Sequence, residues 1–206
     1  VSQHAAGVDP QSALVQAFLR LLKQRHVTLD PTLVVFESLF TDRAGVVGPG
    51  TAAVADRMPP LVRRSLLEGG LPVPDGKDAS YRQALTQMQR MLMAVRSAGV
   101  LFVAGTDALP GFMLARELEL YVEAGVPAPE VLRIATLDAA RLVGLERELG
   151  SITPGKLADM ILVDGDPSRN VGDVRRLHLV IKDGALFDPD ALCRALGIQP
   201  LAATGQ

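Results

Sequence analysis

Two apolar, β-rich runs constrain this chain more than any other feature. Val27-Thr28-Leu29-Asp30-Pro31-Thr32-Leu33-Val34-Val35-Phe36 reads as a buried strand with an irregularity at Pro31, and Val100-Leu101-Phe102-Val103-Ala104-Gly105 reads as a second strand. Between them lies a helix-period segment with Tyr81, Leu85, Met88, Leu92 and Val95 on one stripe. Two strands joined by a crossover helix run parallel. Parallel strands that are apolar throughout need cover on both faces and neighbours on both edges, which two strands alone do not provide. The expectation is therefore a unit that meets other strands, or part of a larger sheet. A start on Val rather than Met favours the second alternative; a complete small α/β domain is the other reading.

The rest of the chain is punctuated clearly. Asp9-Pro10 reads as an N-cap followed by the first helical residue, with Leu14, Phe18, Leu21 and Leu22 on the helix after it, ending near Arg25. Residues 37–77 are rich in Gly and Pro and read as a long excursion, with a helical piece around Pro60–Leu67. Asp78 reads as the cap of the crossover helix and Gly99 as its stop. Helices follow at Leu114–Ala124, closed by Gly125, from Pro127 onward, and at Leu137–Val143, closed by Gly144. After the turn-rich Gly150–Lys156 come strands at Ala158–Asp164, Leu177–Lys182 and Ala185–Asp188. The last two are joined by Asp183-Gly184, a hairpin signal. A helix over Pro189–Leu196 ends the pattern.

Composition narrows the function classes. Formal net charge is −2 over 206 residues, aromatics are 4% and Trp is absent. No basic stripe points to nucleic acid and no apolar run is long enough to span a membrane. The single cysteine, Cys193, forms no intrachain disulfide and reads as an apolar filler. Of the three histidines, His4 lies in the opening coil, His26 at the amino end of the first strand and His178 in the late hairpin. His4 has no His or carboxylate partner at useful spacing, and the positions of His26 and His178 argue against a ligand role. There is no phosphate-cradling loop, nucleophile elbow or His-Glu-x-x-His helix.

The chemistry-bearing signal is the end of the second strand. Val100–Gly105 stops in Thr106-Asp107, and in parallel α/β architectures the carboxyl ends of strands carry the site. Asp107 there is a candidate metal ligand or general acid–base, with Gly105 admitting close approach and Thr106 orienting the carboxylate. An acid before Pro-Gly is equally an ordinary turn or cap residue, and the local pattern leaves both open.

Residues 100–107, "EVLRIATLDAARLVGL" at 130–145, "LGSITPGKLADMILVDGDP" at 149–167 and "VIKDG" at 180–184 together resemble the carboxyl half of the amidohydrolase superfamily, in its imidazolonepropionase-like and dipeptidase-like branch. The resemblance covers roughly residues 26–190. It implies an α/β fold comprising part of a (β/α)₈ TIM barrel, residues 1–148, with a β-sandwich segment at 149–190 and a terminal helix and tail at 191–206. It places Val27–Phe36 as the seventh barrel strand and Val100–Thr106 as the eighth. It implies a metal-dependent hydrolase of C–N bonds, using a divalent metal such as zinc, whose other ligands lie on strands this chain does not contain. Asp107 matches the family's catalytic acid, which contacts the metal and relays a proton from bound water to the leaving nitrogen. No ligand role is carried onto His4. Phe36 and Leu109 are substrate-pocket candidates, residues 37–77 the segment covering the site, and a small-molecule amide the substrate. The rivals are a non-catalytic barrel half that binds a partner or forms a homo-oligomer, and an unrelated α/β enzyme handling phosphate or magnesium. The cellular compartment stays open.

Overall fold

The computed structural model describes residues 8–201; His4 lies outside them. Eight helices are described: α1 (Ala13–Gln24), α2 (Leu33–Thr41), α3 (Pro60–Ser65), α4 (Asp78–Ser97), α5 (Met113–Ala124), α6 (Ala128–Arg133), α7 (Ala139–Leu142) and α8 (Pro189–Ala195). Three strands, β1 (Met160–Val163), β2 (Leu177–Lys182) and β3 (Ala185–Phe187), form an antiparallel sheet in the order β1-β2-β3. The molecule is α/β with a small sheet.

The two apolar runs do meet in parallel, at one rung: Leu29 pairs with Phe102. The expected ten-residue strand at Val27–Phe36 is wrong beyond that rung, because Leu33–Phe36 form the first turn of α2. The cause is Pro31. It offers no N–H to a ladder, and Thr32 beyond it adopts a left-handed conformation (φ 46°) that turns the chain into the helix. The excursion at 37–77 is correspondingly less irregular than expected. It opens inside α2, holds a 3₁₀ turn at Ala55–Arg57 and includes α3.

Helix boundaries set by glycine hold: Gly99 sits at positive φ (69°) just past the Ala98 cap of α4, and Gly125 at positive φ (110°) directly after α5. Those set by aspartate move. Ser12, not Asp9, caps α1, its hydroxyl accepting from the Val15 N–H; Asp9 forms a turn, its carboxylate accepting from the Gln11 N–H. Asp78 is the first residue inside α4 rather than its cap, and its carboxylate pairs with Arg43 and Arg82. The two helices expected after Pro127 are one continuous run. A π turn at Ile134–Asp138 joins α6 to α7, and Asp138 pairs with Arg133 and Arg141.

The main core packs α1, α2, α4, α5 and α6 around the parallel rung, with Leu19, Leu33, Val34, Leu92, Phe102, Leu120, Tyr121 and Val131 buried. The apolar residues of α1 divide between two faces. Leu19 and Leu22 enter the core, while Leu14 and Phe18 stay 81% and 56% exposed. Leu101, between two buried neighbours, is 67% exposed. Leu14 and Phe18 on α1 and Leu101 beside the parallel rung thus leave apolar surface outside this core.

Candidate active site

The run Val100–Gly105, expected as a strand, pairs only at the Phe102 bridge, and Asp107 lies five residues beyond that bridge, exposed, in a left-handed conformation (φ 44°). Aspartate tolerates that region better than most residues. Among the described residues, no partner holds its carboxylate. It therefore caps no helix: α5 begins six residues later, at Met113, with Phe112 as its cap. Thr106 is half-buried beside it.

Gly105 serves a closer neighbour than expected. A Cβ at this position would overlap the Asp30 carboxylate, and the Gly105 N–H donates to Asp30 Oδ1 at 2.9 Å. Asp30 thus stands one residue past the parallel rung at Leu29, beside the turn that carries Asp107. Its signal resembles that of Asp107, an apolar run ending in an acid, but the apolar residues beyond Pro31 mask it.

Behind this rim sits Glu117, fully buried on α5. Its Oε1 accepts from the Leu33 N–H at 2.8 Å and its Oε2 from the Val34 N–H at 2.6 Å. These are orphan donors of the first turn of α2, whose own cap residue, Thr32, supplies no side-chain bond. Burial pushes the Glu117 carboxyl up to about 7, outweighing the two backbone N–H bonds and a contact from Tyr121 that pull it down. Burial, first of all, also pushes the Tyr121 hydroxyl upward, with the Glu117 charge adding to it. That hydroxyl donates to the Val103 carbonyl at 2.9 Å. An acid within the apolar stripe of Leu114, Leu118 and Tyr121 was the available signal for Glu117.

The pocket candidates separate. Leu109, two residues past Asp107, is partly buried against both apolar clusters. Phe36 lies half-buried on α2 with its ring 5.9 Å from that of Phe40. A cavity of about 650 Å³ lies elsewhere, among Phe112, Leu118, Ile161, Leu177, His178 and Cys193, and Asp107 is not in its lining. Cys193 is half-buried in the smaller apolar cluster, as a filler would be. His178 is 3.7 Å from Asp164 on the surface of β2.

The sequence profile of the Amidohydrolase family matches residues 19–187. The chain belongs to the amidohydrolase family. Among curated amidohydrolase relatives, it is 37% identical over 106 residues to a 5-methylthioadenosine/S-adenosylhomocysteine deaminase of Symbiobacterium thermophilum, a match covering 46% of this chain and 23% of that protein. It is 32% identical over 106 residues to an imidazolonepropionase of Rubrobacter xylanophilus, covering 47% and 25%. Among solved structures, a Xaa-Pro dipeptidase with methionine bound in its active site shares the fold with a TM-score of 0.60 and 24% identity, over 86% of this chain and 37% of that one. The matches to these two curated relatives thus span a quarter of their length or less.

Amidohydrolases generally use divalent metals. Among the described residues no group of three or more His, Cys, Asp or Glu side chains gathers as a ligand set. Asp107 offers one carboxylate, and Asp30 is engaged by Gly105. The described residues alone do not fit a metal centre, so any such centre draws on further ligands.

Proposed function

We propose that this chain supplies the last strands of a (β/α)₈ barrel, over 1–148, and part of a β-sandwich, over 149–190, to a hydrolase of C–N bonds. The terminal helix, Pro189–Ala195, follows that segment. The substrate class is a cyclic amide, an N-acyl amino acid or a dipeptide, and Asp107 is the acid–base residue. The observation that carries this reading is the placement of Asp107: an exposed carboxylate, without a partner among the described residues, five residues beyond a parallel backbone bridge. Family membership and the bare apolar faces at Leu14, Phe18 and Leu101 support it.

The chemistry assigned to this chain is proton transfer. An ionised Asp107 accepts a proton from the attacking water and returns it to the leaving nitrogen, so that an amine rather than an amide anion departs. A divalent metal, expected to be zinc, would be held chiefly by residues outside the described ones. Phe36 and Leu109 remain pocket candidates, and residues 37–77 the segment proposed to cover the site.

The test is Asp107→Asn in the protein expressed from its complete reading frame, assayed on a panel of dipeptides, N-acyl amino acids and cyclic amides. The expected loss in kcat is about 10²–10⁴-fold with the fold unchanged by circular dichroism. Near-normal turnover removes Asp107 from the mechanism. A parent protein inert on the whole panel favours the second reading, a non-catalytic barrel half that binds a partner or self-associates, which the missing ligand set among the described residues motivates.

A further inference from the structure

The parallel ladder is cut short where Asp107 is carried. At its one rung the Leu29 N–H donates to the Leu101 carbonyl and the Val103 N–H to the Leu29 carbonyl, both at 2.9 Å. The next pair in such a ladder would run from the N–H of residue 31 to the Val103 carbonyl and from the Gly105 N–H to the carbonyl of residue 31. Residue 31 is proline and has no N–H. Side chains replace both bonds. The Tyr121 hydroxyl donates to the Val103 carbonyl, and Asp30 Oδ1 accepts the Gly105 N–H. Glu117 does the same for the α2 amides that follow Thr32.

We infer that Asp30 is a positioning residue for Asp107, acting through the Gly105 N–H; this rests on the acid–base role proposed for Asp107. The bond is fixed two residues before Asp107, at the last point where the strand direction is set. Glycine is required there because the carboxylate occupies the space of a Cβ. The carboxylate lets the chain leave the sheet line and turn left-handed at Asp107, which a backbone acceptor on an extended strand would oppose. Asp30 is itself exposed, so its contribution falls on the geometry of the turn rather than on core packing.

The test compares Asp30→Ala with Asp30→Asn in the protein from its complete reading frame, Asn keeping an acceptor oxygen at the same reach. Hydrogen exchange at the Gly105 amide is expected to quicken on the order of tenfold in D30A and to stay near the parent rate in D30N. Turnover of the best dipeptide or amide on the panel is expected to lose about 10–100-fold in kcat in D30A, with KM little changed and most activity kept in D30N. If D30A fails to fold, Asp30→Ser, too short to reach Gly105, replaces it in the same comparison. Unchanged exchange at Gly105, or equal losses in D30N and D30A, overturns the inference. Normal turnover by D107N beside quickened exchange overturns the proposed function instead, leaving the clamp as a structural contact.

Discussion

The rim around Gly105 and the β1–β3 sheet solve the same problem in opposite ways. In the sheet, main chain satisfies main chain: Met160–Val163 pair with Leu177–Ile181, and Val180–Lys182 with Ala185–Phe187. The side chains there are left over, with Ile161, Leu162 and Leu186 each about half exposed or more. At the rim, backbone meets backbone at one rung and the remaining bonds come from Asp30, Glu117 and Tyr121. The lesson is that stability and chemistry draw on different groups. A ladder tolerates almost any side chain, whereas the rim depends on three polar residues.

Substitutions can break this contrast. After the turnover losses expected for D107N and D30A, the largest effect is Glu117→Ala, which strands two buried amides at the start of α2 and opens a cavity. It should cost about 3 kcal/mol or more by urea unfolding. A loss below about 1 kcal/mol would show that the rim is held otherwise. Glu117→Gln sharpens the point through pH. The native carboxyl, at about 7 against an ordinary 4.5, holds its proton where the unfolded chain has lost it. Its stabilising contribution is therefore complete below about pH 4.5 and is lost as pH rises through about 7, on the order of 3 kcal/mol in all. Unfolding free energies from pH 5 to 8 should fall more steeply for the parent than for E117Q; parallel curves would contradict the assignment. The smallest effect belongs to the sheet. Gly184 sits at φ 74° with open space where a Cβ would go, so Gly184→Ala meets only backbone strain, about 1 kcal/mol. It should leave Gly105 exchange untouched.

What the sequence made legible was local. The Asp183-Gly184 turn, with both residues at positive φ (50° and 74°), and the stops at Gly99, Gly125 and Gly144 follow from conformations that neighbouring residues cannot override. Asp107 was legible because an apolar run ended beside it. The helix at Leu33–Thr41 was not. Its β-branched, apolar start reads as strand, and the acid that satisfies its first turn comes from Glu117, 83 and 84 residues along the chain. Asp30 was hidden in the same way, since its partner Gly105 lies 75 residues away. Asp78 and Asp9 misled for a different reason: a carboxylate near a helix start has several stabilising places to go, and here Arg43, Arg82 and the Gln11 amide took them.

Pro31 does more than stop a strand. With an ordinary amide in its place, the Val103 carbonyl would have two suitors, and pairing could zip onward past Gly105 and straighten the segment that bears the acid. An imino acid forecloses that at every moment of folding, at no cost in unmet donors. The outer margin of the molecule is thereby kept for side chains, where one substitution at a time can retune what it does without rewriting the scaffold beneath.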